Sequence, residues 1–372
     1  MRYCQHCVTP DTRPNIVLDT GGVCNACRFH MQKKQIDWAK RERAFRQVVE
    51  NAKSRSRGYD CLIPVSGGKD STWQTVKCLE YGLNPLTVTW KTPVRTEIGE
   101  KNLKNLVSLG VDHVDYQVNP KVEKKFLLES LIRYGTPMIP MHMALFNIPL
   151  TIAVRFSIPL IVWGENSAFE YGGTEEESKG FELNEAWLKK YGVTHGTTAA
   201  DWISPGLTKK EMTPYFGPSA AEIKASGVLA VFLGYYFSWD PEMSLKVAVA
   251  NGFQSRQEGA MTGLYDYADI DDEFISIHHY IKWYKFGFTR LFDNLSLEIR
   301  NGRMTREQAL AIIRDKGDQT PRADIEKFCR FVNISEKQFW DILEKFRNPA
   351  VWKKENGRWI IPGYLLKEAF PS

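Results

Sequence analysis

Residues 62–82 read LIPVSGGKDSTWQTVKCLEYG. An apolar run stops at Ser66, Gly67 and Gly68, and a helical pattern starts at once. Lys69, Asp70 and Ser71 sit at that corner. Glycines allow a sharp turn and close approach of the backbone to a ligand. A helix start offers unpaired N–H groups and a partial positive charge. Ser66 and Ser71 add hydroxyl donors and Lys69 a full charge, so the corner can cradle a pyrophosphate. Asp70 is unexpected at an anion site, and its role there is to hold a Mg2+ bridging the phosphates. The stretch is not a Walker A loop, which needs G-x4-G-K-[ST], nor a G-x-G-x-x-G fingerprint. Both Lys69 and Asp70 are expected to face the ligand from the helix start rather than pack in the core.

A second constellation is Cys4, Cys7, Cys24 and Cys27, spaced C-x2-C-x16-C-x2-C. Each pair can offer two thiolates to one tetrahedral Zn2+. Four thiolates leave no open position, so the site is assigned to structure rather than chemistry. Disulfides are the alternative, disfavoured in the cytoplasmic chain that a polar, cysteine-bearing start implies. Cys61, Cys78 and Cys329 are scattered.

The elements that must position these residues follow from the pattern. Strands are expected at 61–65, 86–90, 112–118, 160–164 and 228–234. Helices are expected at 71–81, about 99–109, after Pro120, and about 142–156. Strands joined through helices imply an α/β fold with a five-stranded parallel sheet covered on both faces. Its ligands would lie beyond the carboxyl ends of the strands. The domain reading is a zinc-binding knuckle at 1–30, a mostly solvated linker helix at 31–57, a nucleotide domain at 58–240 with an insertion at about 166–225 walling the site, and a helical C-terminal substrate or partner region at 241–372. A loop at 316–321 separates the last helices.

Further candidates sit at the expected strand ends. Trp90 closes the second strand, where it can stack on adenine or fill the core. Gly164, Glu165 and Asn166 close the fourth, where they can touch metal, ribose or substrate, or simply form a turn. Tyr171 follows, with Gly172-Gly173 as a flexible hinge. Lys285 and Arg290 lie in an aromatic stretch and can bind a diphosphate or carboxylate, or belong to a helix whose charged tips reach solvent. His278-His279 reads as a structural, hydrogen-bonding pair.

Composition sets the outer bounds. The 372 residues are 43% hydrophobic and 25% charged, as a globular core requires. Lys+Arg is 49 and Asp+Glu 44, a formal charge of +5. That excess is too small to imply nucleic acid and suits small anionic substrates. Arg155, Pro149 and Pro159 interrupt the apolar stretches, so no membrane span is expected.

S-G-G-K-D-S resembles the PP-loop of the ATP pyrophosphatases. More of the chain resembles the N-acetyl sugar amidotransferases of bacterial surface-polysaccharide biosynthesis, the WbpG/PseA-like family. The likeness rests on YCQHCVTPDTRP, GVCNAC, VSGGKDS, TWKTPVRTEIGEKNLKNL, WGENSAFEYGG and HHYIKWYKFGFTRLFDNLSLEIRNGRMTREQA. It implies a fold of the adenine-nucleotide α-hydrolase type and cleavage of ATP between the α- and β-phosphates. The carbonyl oxygen of an acetamido group on a nucleotide sugar, as in LPS O-antigen biosynthesis, would be adenylylated. Ammonia would then displace AMP and leave an acetamidino group. Lys69 and Asp70 would be catalytic. Ser66 to Ser71, Trp90 and Gly164 would bind ATP; Glu165, Asn166, Tyr171, Lys285 and Arg290 would face the sugar substrate. No cysteine has the setting of a glutaminase nucleophile, and residue 2 is Arg. The resemblance implies a separate glutaminase (HisH-like) and a cyclase-like ammonia-channel subunit (HisF-like).

Two other classes compete. A tRNA-thiolating PP-loop enzyme with an iron–sulfur cluster needs a CxxC within the catalytic domain, which Cys61 and Cys78 cannot supply. A non-catalytic nucleotide-binding scaffold has no need of the intact Lys69 and Asp70.

Overall fold

The computed structural model describes residues 1–173, 194–316 and 320–366. At its centre is a parallel sheet of β1 (Cys61–Pro64), β2 (Pro85–Trp90), β3 (Asp112–Tyr116), β4 (Leu160–Trp163) and β5 (Leu229–Phe232), in the order β3-β2-β1-β4-β5. Cys61 lies opposite both Pro85 and Leu160, so β1 is shared by the two halves. The chain winds outward from β1 to β3, then returns to lay β4 on the other side of β1. That reversal opens a crevice between the carboxyl ends of β1 and β4, where ligands of such sheets bind.

The amino-terminal helices are α1 (Asn25–Lys33) and α2 (Trp38–Arg55). The crossover helices are α3 (Lys69–Glu80), α4 (Glu97–Val107), α5 (Pro120–Tyr134) and α6 (Ile139–Arg155). Short polar residues start them: Thr96 Oγ1 accepts from Gly99 N at 3.0 Å, and Asn119 Oδ1 from Lys121 N at 3.0 Å ahead of Pro120. After β4 come α7 (Ser167–Tyr171), α8 (Ala220–Ser226), α9 (Leu233–Tyr236) and α10 (Pro241–Ala250). One face of the sheet packs Phe45, Val49, Trp73, Leu103 and Leu106 against Ile63, Val162 and Val231. The other packs Phe126, Ile139, Met143 and Ile148 against Leu62, Val88 and Ile161. The five expected strands and the helices between them are thus present.

Three regions depart from the sequence-based expectation. The stretch read as one solvated linker helix is two helices, broken between Lys33 and Trp38. Phe45, Val49 and Ala52 of α2 are buried on the sheet core, a narrow apolar stripe outnumbered by charge in the sequence. Of the insertion, residues 166–173 and those from 194 onward are described; Tyr171 of the first part lines the crevice, and the second part does not. There Trp202, Met212 and Tyr215 join the core under α5 and α6 rather than the crevice. Residues 174–193, and 317–319 of the expected 316–321 loop, lie outside the described residues.

The region beyond 240 is not helical throughout. After α10 an irregular stretch runs to α11 (Ile275–Phe286), α12 (Arg290–Arg300), α13 (Arg306–Lys316), α14 (Arg322–Val332) and α15 (Glu336–Glu344). A hairpin of β6 (Lys353–Glu355) and β7 (Arg358–Ile360) follows. Its turn is Asn356-Gly357, both at positive φ, the pair a two-residue hairpin prefers.

Candidate active site in the crevice between β1 and β4

The loop leaving β1 makes its turn at Gly67, where φ is +86°. A Cβ there would lie 2.6 Å from the Leu103 backbone nitrogen, so α4 packs directly on the loop and only glycine fits. Gly68 opens α3, and its carbonyl accepts from the hydroxyls of Ser71 and Thr72, each at 3.0 Å. Gly68 N–H donates to Ser66 Oγ at 3.2 Å. The N–H groups of Lys69, Asp70 and Ser71 start the helix without intrahelical acceptors and face a cavity of about 220 Å³.

That cavity is lined by Ser66, Gly68, Lys69, Asp70 and Ser71 from the loop and by Glu165 and Tyr171 from beyond β4. Trp239 closes one side. The irregular stretch supplies Tyr265, Tyr267, Asp269 and Asp271, and α12 supplies Arg290 and Asn294. The elements that build the corner and those that cover it are separated by some two hundred residues of chain.

Lys69 corrects one expectation. Its side chain is only 6% exposed, with Nζ 2.5 Å from Asp70 Oδ2. It also lies 5.5 Å from the Trp239 ring centroid and 5.7 Å from that of Tyr267. It is packed at the cavity floor rather than open to solvent, since an ammonium of this kind is held by a carboxylate and ring faces when water is removed. Asp70, one-third exposed, accepts from Trp239 Nε1 through its other oxygen at 2.9 Å. Glu165 lies nearby; burial and the charge of Asp70 raise its pKa to about 7. Two carboxylates that oppose each other's ionisation at the edge of a phosphate cradle fit a divalent cation, whose remaining ligands would be phosphate oxygens and water.

The far end of the cavity carries a second cation. Arg290 Nε donates to Asp269 Oδ2 at 3.1 Å, and its guanidinium lies 5.8 Å from the Tyr171 ring centroid. Burial disfavours the charge of Asp269, yet Arg290 and His279 hold its pKa well below the carboxylate range. Burial raises Asp271 to about 6. Behind Arg290 lies Asp293, 3% exposed, to which Arg13 Nε donates at 2.7 Å.

The other expected site residues fall elsewhere. Trp90 is buried among Val118, Val122 and Phe126, so its bulk fills the sheet core and no nucleotide face is open to it. Gly164 directly follows β4, and its carbonyl accepts from Gly234 N at 3.0 Å, one residue short of the cavity wall. Asn166 is buried and caps α7 through Oδ1 to Ala168 N at 3.0 Å, which is a structural duty. Gly172 is no free hinge: a Cβ there would meet Ile16 at 2.7 Å, and Gly173 O accepts from Asn25 Nδ2 at 2.8 Å. Lys285 points away, donating to Tyr134 O at 2.5 Å beside the Phe346 ring, where burial lowers its pKa to about 8. His278 and His279 bond Thr136 Oγ1 (3.2 Å) and Lys282 Nζ (3.1 Å), and His279 also approaches Asp269 at 3.4 Å.

The four knuckle cysteines are buried, their sulfurs mutually within 4.8 Å. Cys4–Cys27 and Cys7–Cys24 Sγ separations are 3.9 and 3.8 Å. Tetrahedral Zn–S bonds of about 2.3 Å give edges of about 3.8 Å, so the set fits zinc. Cys24 N and Cys27 N direct their N–H groups at Cys4 Sγ (3.2 Å) and Cys24 Sγ (3.4 Å), as thiolate ligands require. The knuckle is not a separate unit. Its cysteines share a core with Leu291, Phe292, Leu295 and Ile299 of α12. Thr9 Oγ1 donates to Ser296 Oγ at 2.9 Å, and Lys33 Nζ to Glu170 (2.8 Å) and Trp239 O (2.5 Å).

Sequence reading missed Arg13, Trp239, Tyr265, Tyr267, Asp269, Asp271 and Asn294. The signal was a cluster of tyrosines and carboxylates, YDYADIDDE at 265–273, in a stretch read as helical. Gly252, Gly259 and Gly263 at positive φ mark it as a loop.

Residues 258–364 match the family described as "LPS biosynthesis protein WbpG-like, C-terminal domain". That span contains Tyr265, Tyr267, Asp269, Asp271, Arg290 and Asn294 of the cavity wall. No curated protein matches the chain. Among solved structures it is similar to the predicted subunit of a tRNA methyltransferase from Methanocaldococcus jannaschii, with 15% identity, coverage of 51% of this chain and 75% of that one, and a TM-score of 0.29. It is also similar to the NMN synthetase of Francisella tularensis, with 12% identity, coverage of 51% and 91%, and a TM-score of 0.28. Likenesses this weak carry no argument about activity.

Proposed function

We propose that this chain, in which a WbpG-like C-terminal domain roofs a PP-loop sheet, is an ATP-dependent amidotransferase acting on an acetamido nucleotide sugar. The observation that carries the reading is the shared cavity. An anion cradle at the β1–α3 corner faces a wall built by the family-specific domain, so the phosphates of ATP and the reacting end of a second substrate can meet in one pocket.

The chemistry follows from the groups. An acetamide is a poor electrophile and its oxygen a poor leaving group. Attack of that oxygen on the α-phosphorus of ATP forms an O–P bond and releases pyrophosphate; the amide N–H proton is lost, leaving an O-adenylyl imidate. Ammonia adds to the imidate carbon, AMP departs, and a protonated amidine remains. The α3 N-terminus, Ser66 and Lys69 bind the phosphates, and Lys69 offsets charge on the departing pyrophosphate. Asp70 and Glu165 would hold Mg2+, which neutralises phosphate charge when bound. Trp239, Tyr265, Tyr267 and Tyr171 close the pocket against water, which would otherwise hydrolyse the imidate. Zn2+ on Cys4, Cys7, Cys24 and Cys27 would be structural.

A tRNA-modifying role is not favoured: the cavity roof belongs to the WbpG-like domain, and the +5 charge is modest for a tRNA partner. No helix among the described residues is long and apolar enough to cross a membrane. The test is to supply ATP, Mg2+, ammonium and UDP- or CMP-linked acetamido sugars. AMP, pyrophosphate and a sugar product lighter by about one mass unit are expected, since O is replaced by NH. ADP and phosphate as products would refute the pyrophosphatase chemistry.

A further inference from the structure

The cavity has two positive poles. One is Lys69 with the α3 N-terminus; the other is Arg290 on α12. Asp70, Glu165, Asp269 and Asp271 also line the cavity, Asp70 against Lys69 and Asp269 against Arg290. One triphosphate accounts for the first pole. The second already pairs its Nε with Asp269, and its remaining donors are what a second anion could take.

Arg290 makes one hydrogen bond among the described residues, Nε to Asp269, and its outer donors stay uncommitted. Asp293 is the group that would claim them. It is buried, and its Oδ2 has no hydrogen-bond partner among the described residues. Arg290 Nη1 and Lys282 Nζ each stand 3.9 Å from that oxygen, too far for a hydrogen bond. Arg13, carried by the loop between the two cysteine pairs, bonds the other oxygen at 2.7 Å. Its guanidinium also lies 5.8 Å from the Tyr171 ring, on which Arg290 bears at the same distance. A buried carboxylate takes a charged partner wherever one is in reach. Arg13 meets that demand from outside the cavity.

We propose that Arg13 is a positioning residue: by occupying Asp293 it leaves the outer face of Arg290 to bind an anionic group, diphosphate or carboxylate, of the second substrate. This rests on the acetamido nucleotide-sugar reading above. It makes the knuckle part of the substrate site, because the fold of the cysteine loop fixes where Arg13 reaches.

The experiment measures binding of UDP- and CMP-linked acetamido sugars and, separately, of ATP by calorimetry on the full zinc-loaded chain. Arg13→Ala should weaken sugar-nucleotide binding by about tenfold or more, with ATP affinity and zinc content unchanged. Arg13→Lys should restore part of the loss. Asp293→Asn in the Arg13→Ala background should restore most of it, because a neutral amide no longer draws Arg290 back; a purely structural role for Arg13 predicts no such recovery. Arg13→Gln, which keeps a hydrogen bond to Asp293 without the charge, is the second variant should Arg13→Ala not fold, and the same sugar-selective loss is expected of it. Unchanged sugar affinity in the Arg13 variants, or no recovery in the double variant, overturns the inference alone. A wild-type chain that binds none of these sugars while binding ATP overturns the nucleotide-sugar reading, and the inference with it.

Discussion

Lys69 and Asp70 show how one pair of residues can be both packed and functional. The ammonium is buried against a carboxylate and two ring faces, and it still lines the cavity. A triphosphate entering there would exchange Asp70 for phosphate oxygens as the partner of Lys69. Lys69→Ala should therefore cut AMP formation by about 100- to 1,000-fold while the circular-dichroism spectrum and Tm stay near wild type. A variant that turns over ATP normally would exclude Lys69 from the chemistry. Glu165 gives a pH-dependent counterpart. Its pKa is raised to about 7, so it is mostly protonated at pH 6 and mostly ionised at pH 8. A cation binds the ionised form, so apparent Mg2+ affinity should fall as pH drops through 7, by up to about tenfold between pH 8 and pH 6. Titrating activity against Mg2+ at both pH values checks this. Glu165→Gln should flatten the difference, leaving only what ATP itself contributes.

At the scale of elements, the knuckle and α12 behave as one packed body. Cysteine sulfurs, Val8 and Ile16 share a core with Leu291, Leu295 and Ile299, and Arg300 lies close enough to Cys7, Cys27 and Cys24 for their thiolate charge to stabilise its guanidinium despite burial. Losing a zinc ligand cannot then melt the N-terminus alone. Cys24→Ser should cost about 3–5 kcal/mol and lower the Tm of the whole chain by roughly 4–6 °C, in a single transition with zinc lost. Differential scanning calorimetry with metal analysis measures it. Two separate transitions, the later one at the wild-type temperature, would show an independently folding knuckle instead. The same reasoning explains why α2 is more than a linker: Phe45 meets Tyr81, Tyr236 and Phe237 at 5.1–5.3 Å and ties the helix to both halves of the sheet.

For the whole molecule, the proposed reaction needs ammonia, and no cysteine sits in a glutaminase-like setting. Cys61, Cys78 and Cys329 are buried; burial raises the Cys61 and Cys329 thiols above their ordinary value, Cys329 to about 11, which is the reverse of an activated nucleophile. Ammonium should thus serve as nitrogen donor for the isolated chain, and glutamine should not. The rate with ammonium should climb with pH toward the pKa of ammonium, because only NH3 is nucleophilic. A glutaminase and a channel subunit should make glutamine effective and weaken that pH dependence. Following amidine formation by mass spectrometry with each donor decides the matter: glutamine working as well as ammonium with this chain alone would overturn the argument.

What the sequence determined by itself was local. The cysteine pairs, the glycine corner, Lys69 and Asp70 at a helix start, and each strand or helix of the alternation are written in short stretches of neighbouring residues, so they were legible without coordinates. Even the missed hairpin was local, written as Asn356-Gly357 and obscured by the helical segments around it. Tertiary structure decided which strand ends face one another and what covers them. Trp90 and Asn166 sit at carboxyl ends of strands, as a site residue would, yet packing turned one into core and the other into a helix cap. Lys285 and Arg290 are five residues apart in sequence, but the turn at Gly287 separates their helices and sends one to Tyr134 and the other into the cavity. Arg13 and Asp293 met across 280 residues because α12 and the cysteine loop bury a common apolar surface. Side-chain type and local spacing carry no information about that meeting; it arises only when the separate apolar faces are packed together.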